Sequence, residues 1–399
     1  MNKKNEKWYP SPYNHHKEVA KLMDLPKTIT VFDSTLREGE ETPGVNMPFE
    51  VKIKIAKKLE ELGVTEMEIG YCAYIRQHRE IAKQLRNEGI KAKFGSLIRI
   101  WSEDYKREID ENVEMGIDIL ELCGGASSHQ REIRNLSKGQ FMDRMLDACE
   151  YARKSDKIVD FYPYDSVRTD LDYLKSLIKA GVEAGADRVH ISDTMGNATP
   201  LATRFFTQEV KSVVGKIPVQ YHGHNDFGTA VANSCAAIEG GAEIVDLVIN
   251  GLGDRSGNAN LQETVMTLNC LYGVDTGLNL HKLNDVCHFV EKVTNFRMED
   301  NKPIVGKLAF IHESDIHVQA ILEGKWSAFE PFLPEIVGQK RQCYFGSSTD
   351  TESIQIVAKM MGIEMDKKAL EDVMKKIDKE VTNKGFALEE EVRTFISEV

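Results

Sequence analysis

Ile217-Pro218-Val219-Gln220 runs directly into Tyr221-His222-Gly223-His224-Asn225-Asp226. The apolar, β-branched start reads as a short strand. Residues 229–240 then read as a helix, stopped by Gly241. His222 and His224 stand two apart on an extended segment, so they point to the same side of the pleat. An ion within reach of one imidazole is within reach of the other. Such a pair, completed by a carboxylate from elsewhere, suits a divalent metal with positions left for water or substrate.

The same strand–loop–helix unit recurs outward from this stretch. Strand-like runs fall at residues 28–32, 66–69, 92–97, 118–122, 158–162, 188–191, 219–221 and 244–249. Helical patterns lie between them, as at 49–62, 105–115, 170–184 and 203–214, and many end at a glycine such as Gly63, Gly116 or Gly185. Eight evenly spaced units between residues 27 and 275 match an α/β fold of the (β/α)8 TIM-barrel type. A doubly wound sheet is the alternative, which even spacing disfavours. In a barrel the chemistry sits at the strand C-termini. Reactive residues cluster there: Asp33 and Arg37-Glu38, Asp165 and Arg168, Asp193-Thr194, His222 and His224, Asn250 and Asp254-Arg255. Asp33 is expected to position Arg37.

The domain plan is an arm or cap over residues 1–26, the barrel over 27–275, a linker subdomain over 276–345 and a helical subdomain over 346–399. The linker carries His312-Glu313-Ser314-Asp315-Ile316-His317. Two histidines five apart do not share a helix face, so they are not read as a metal pair. One is expected to reach a reacting group and the other to pack.

Composition excludes several classes. A net charge of −12 argues against a nucleic-acid surface. No apolar run approaches membrane length, and the polar N-terminus leads into no signal-peptide core. Seven widely spaced cysteines without a CxxC pair suit a reducing compartment, so a cytoplasmic protein is expected. Gly251-Leu252-Gly253 with Gly257 has the wrong spacing for a dinucleotide fingerprint.

Phe32-Asp33-Ser34-Thr35-Leu36-Arg37-Glu38-Gly39-Glu40 resembles the opening motif of the DRE-type TIM-barrel metalloenzymes, which include homocitrate, 2-isopropylmalate, citramalate and Re-citrate synthases. Ser192-Asp193-Thr194-Met195-Gly196, His222–Asp226 and Asn250-Gly251-Leu252-Gly253-Asp254-Arg255 agree in order, and the His312–His317 segment is similar to one in the synthases' second domain. The resemblance implies an acyltransferase that condenses acetyl-CoA with a 2-oxo acid and releases CoA, in amino-acid biosynthesis, as a homodimer. It implies a divalent metal (Mg²⁺, Mn²⁺ or Zn²⁺) on Glu38, His222 and His224, with Asn258 beside it or ligating. Arg37 would stabilise charge on the keto oxygen, Thr194 would bind the substrate carboxylate, and His317, or failing that Glu313, would take a proton from the acetyl methyl. With 399 residues there is no room for a long leucine-sensing domain, and no feedback of that kind is expected.

Several substrate-side positions depart from the family pattern. Glu41 replaces a Gln, Asp160 an Arg, Tyr164 a Glu, Leu97 a His and Phe329 a Tyr. Glu41 and Asp160 near the substrate tail would repel a dicarboxylate and admit a neutral, hydroxylated or cationic tail. Arg99 and His129 are expected to reach the same pocket. Two other readings compete. A lyase or aldolase of the same barrel is disfavoured because loop 251–260 lacks the acyl-CoA lyases' cysteine. A non-catalytic binder of 2-oxo acids is disfavoured because it has no need of Arg37.

Overall fold

A computed structural model describes residues 7–26 and 28–399. The first six residues of the expected arm, and Lys27 where the barrel was expected to begin, lie outside the described residues. Contacts divide the described residues into two units, Ser11–Met298 and residues 7–10 with Glu299–Val399.

The larger unit is a closed barrel of eight parallel strands in sequence order: β1 (Thr30–Asp33), β2 (Glu66–Gly70), β3 (Lys93–Arg99), β4 (Ile119–Gly125), β5 (Ile158–Tyr164), β6 (Arg188–Asp193), β7 (Val219–Gly223) and β8 (Ile244–Leu247). Closure comes from β1 pairing with both β2 and β8. Helices cover the outside, so the strands are buried almost throughout, as parallel strands must be. The helix Phe49–Leu62 stops at Gly63, whose φ of 99° is left-handed and whose N–H satisfies the last carbonyls. Phe32, Ile119 and Ile244, packed with Ile158, form an apolar plug inside the barrel.

The unit boundaries differ from the sequence expectation. The barrel unit extends past residue 275 to Met298. Asn279 donates to the Leu62 carbonyl at 2.8 Å, and the helix Leu283–Thr294 buries Leu283, Val286 and Val290. The arm is also split. Residues 11–26 group with the barrel, where Asp24 donates to Glu239 O at 2.9 Å. Tyr9 donates to Pro331 O at 2.8 Å and so joins the C-terminal unit.

That smaller unit is continuous rather than a linker followed by a helical subdomain. The strands β9 (Ile311–His312), β10 (Gln342–Phe345) and β11 (Ala387–Leu388) form one sheet, with β10 in the middle. Phe345 packs with Val318, Ile354, Val357, Val373, Ile377, Val392 and Ile396 from the surrounding helices.

Candidate active site

At the C-terminal mouth of the barrel, β7 delivers His222, and His224 follows one residue beyond its end. Their Nε2 atoms stand 3.2 Å apart, and Glu38 Oε1 is 3.6 Å from His222 Nε2. Ligand atoms of all three lie within 4.8 Å of one another. All three residues are buried. His222 Nδ1 meets Asp246 Oδ2 at 2.8 Å, and Asp246 also accepts from Ser34 Oγ. A proton held on Nδ1 leaves the Nε2 lone pair facing Glu38 and His224.

Burial opposes charge on His222, but the Asp246 carboxylate outweighs it and holds the ring above its usual pKa. Burial and then the neighbouring His222 push His224 down to about 3. Burial works against the Glu38 carboxylate, yet Arg37 and the two histidines keep it ionised. Asn258 Nδ2 donates to Glu38 Oε2 at 3.1 Å, while Asn258 Oδ1 and His224 Nδ1 are buried and have no hydrogen-bond partner among the described residues. An ionised carboxylate, two imidazoles and an unsatisfied amide oxygen make a donor set that fits a divalent metal.

Arg37 is gripped rather than free. Its Nε and Nη2 donate to the two oxygens of Glu68 at 2.6 and 2.8 Å, and its Nη1 meets Glu38 and, at 3.4 Å, Glu41. Glu68 escaped the sequence reading, which assigned that positioning role to Asp33. Asp33 instead caps Thr35, accepting from its N–H and its hydroxyl at 3.0 Å each.

Beside the triad opens a cavity of about 290 Å³. One end is polar: Arg37, Glu38, Glu41, Thr194, His222, His224, Asp254 and Arg255. The other is aromatic and apolar: Tyr71, Leu97, Trp101, Cys123, Tyr162 and Tyr164, with Arg134. Trp101 meets Tyr164 edge-on at 6.3 Å, and Arg134 lies 4.7 Å over the Trp101 ring.

Three expected pocket residues do not line this cavity. Asp160 is fully buried deeper along β5, because the same strand face presents Tyr162 and Tyr164 at the mouth. Arg99 is turned away, its guanidinium on Glu108 at 3.0 Å and over the Tyr74 ring at 3.5 Å. His129 is exposed on the helix Ser128–Ile133. Tyr71, Trp101, Tyr162 and Arg134 were missed. Only Tyr162 carried a signal, its even spacing from Tyr164 on one strand.

In the C-terminal unit, His312 is buried on Glu330 at 3.1 Å, which Arg341 also holds. His317 is half-buried and stacks on Phe329 at 3.8 Å, while Glu313 is exposed.

The HMGL-like family model matches residues 28–290. The chain belongs to that family. Residues 304–385 match a second model, homocitrate synthase post-HMGL domain-like. A Methanocaldococcus jannaschii protein named homocitrate synthase AksA is 40% identical over 380 residues, 94% of this chain and 92% of its own length. A 2-isopropylmalate synthase of the same organism is 39% identical over 370 residues, 92% of this chain and 70% of its own. Among solved structures, a hydroxymethylglutaryl-CoA lyase from Pseudomonas aeruginosa superposes with a TM-score of 0.61 at 22% identity, over 69% of this chain and 96% of its own, a likeness of fold alone. None of the described helices is long and apolar enough to cross a membrane.

Proposed function

We propose that the chain is a condensing acyltransferase that joins acetyl-CoA to a 2-oxo acid and releases CoA. The observation that carries this reading is the Glu38–His222–His224 triad, with Arg37 beside it, opening on a cavity with one polar and one aromatic end. The naming of its relatives as homocitrate and isopropylmalate synthases supports it.

Glu38, His222 and His224 would hold a divalent ion, with Asn258 Oδ1 the next nearest donor. The ion would supply Lewis-acid polarisation of the keto group. Arg37 meets the negative charge that grows on the keto oxygen. Thr194, on the polar wall, takes the substrate carboxylate. A base removes a proton from the acetyl methyl, and His317 is assigned that role by resemblance, with Glu313 second. The methyl carbon then bonds to the keto carbon, the keto oxygen gains a proton, and water cleaves the thioester to free the CoA thiol.

The aromatic end favours a neutral, flat or bulky tail on the 2-oxo acid. Asp160 takes no part in that choice, and Glu41 stands 3.4 Å from Arg37 Nη1 with burial pushing its carboxyl up. The chain is read as a cytoplasmic homodimer, which light scattering tests.

The experiment is release of CoA thiol from acetyl-CoA with a panel of 2-oxo acids carrying aliphatic, aromatic and carboxylate tails, with Mn²⁺ and with a chelator. Metal-dependent release, strongest with an apolar tail, is expected. Glu38→Gln should abolish turnover together with the ion held by the triad. Activity that survives both the chelator and this change refutes the metal reading. Silence across the panel with metal bound favours a binding-only protein.

A further inference from the structure

Deeper in the barrel, three neighbouring strands each aim a metal-ligating side chain into the interior. Glu121 on β4 is in register with Asp160 on β5, and His190 stands on β6. Their exposures are 0%, 0% and 1%. Their ligand atoms lie within 4.8 Å of one another. Both oxygens of Glu121, both of Asp160, and His190 Nδ1 have no hydrogen-bond partner among the described residues. His190 Nδ1 is 3.4 Å from Asp160 Oδ2.

Other carboxylates in this interior are matched. Glu66 binds Arg188, Glu68 binds Arg37, and Asp246 binds His222 and Ser34. Glu121 and Asp160 meet each other and His190, while Arg37 acts on Glu121 and Arg188 on Asp160 only through space. Two buried carboxylates with no cation bonded to them cost several kcal/mol each on the scale of ion desolvation, and burial pushes both carboxyls up, so either protons or a bound cation must neutralise the cluster.

Two features shape the place as a receptacle. Tyr162 stacks on His190 at 3.7 Å and 9°, which fixes the ring. At Gly95 a Cβ would come within 2.4 Å of Glu121 Oε1, so the glycine leaves room for that carboxylate. Neither feature is needed by the triad at the mouth.

We propose that Glu121, Asp160 and His190 bind a second divalent ion inside the barrel, separate from the Glu38–His222–His224 set. One imidazole with two carboxylates selects a transition ion of the Mn²⁺ or Zn²⁺ kind over Ca²⁺ or Mg²⁺. Its role is to neutralise the interior under the active site.

The test counts metal per chain. The full chain is produced in Mn²⁺-supplemented medium, desalted, and measured by mass spectrometry of total transition metal. Two ions per chain are expected for the unaltered protein and one for Glu121→Gln or Asp160→Asn. His224→Ala leaves the trio untouched and should keep one ion, which makes the test independent of whether the trio variants fold. Failure of His224→Ala to retain an ion, or a count that Glu121→Gln leaves unchanged, overturns the proposal. In those cases the two carboxyls carry protons instead. A single ion kept in His224→Ala and lost in Glu121→Gln would uphold this site and refute the one at the mouth.

Discussion

Asp246 shapes the chemistry at the mouth without lining the cavity. Its carboxylate receives His222 Nδ1 at 2.8 Å and is steadied by Ser34. That bond selects the tautomer with a free Nε2 lone pair and makes the nitrogen a better donor. Asp246→Asn keeps the shape but removes the charge, so affinity for Mn²⁺ should fall about 10- to 100-fold. Isothermal titration of metal-free protein measures this, and unchanged affinity would mean His222 is not a ligand. The convergence of His222 and His224 was legible in the sequence because His-x-His on a strand has one geometric consequence. Asp246 and Glu68 were not, because their partners lie 24 and 31 residues away. Only barrel closure brings them together.

The elements explain why Asp160 was misplaced. Side-chain alternation correctly assigns Asp160, Tyr162 and Tyr164 to one face of β5. It does not give depth, because strand tilt and stagger decide which layer of a barrel a residue occupies. Asp160 therefore sits a layer below the mouth, beside Glu121, and the aromatic pair takes the rim. The eight-unit rhythm was readable from glycine stops and apolar runs, since each helix and strand declares itself locally. Gly95 is the sharpest local test of the layer below. Gly95→Ala would drive a methyl into Glu121 Oε1 at 2.4 Å and the Phe32 ring at 2.9 Å. Both neighbours are confined by packing, so a loss of about 1–3 kcal/mol is expected. Urea unfolding of the variant reads it, and unaltered stability would show that this layer can yield.

At the scale of the molecule the two units have separate cores. Barrel residues supply every member of the metal triad, and Phe345 anchors a core made wholly of C-terminal residues. The sequence rhythm stops near residue 275, but the last barrel helix lies beyond that point. Leu62 O holds Asn279 just before it and Asn250 Nδ2 donates to its Cys287 carbonyl, ties that no periodicity in residues 276–298 reveals. On the proposed assignment, metal retention belongs to the Glu38–His222–His224 triad and proton removal to His317, so the two should separate under mutation. His317 stacks on Phe329 and is no member of the triad, so His317→Ala should leave the metal count unchanged. It should slow CoA release by about 10²-fold or more if it accepts the methyl proton. The decisive readout is exchange of the acetyl-CoA methyl hydrogens with deuterated solvent in the presence of a bound 2-oxo acid analogue. Loss of exchange with metal retained assigns the base to His317. Loss of metal would mean that the substitution disturbs the barrel, and full exchange would move the base to Glu313 or elsewhere.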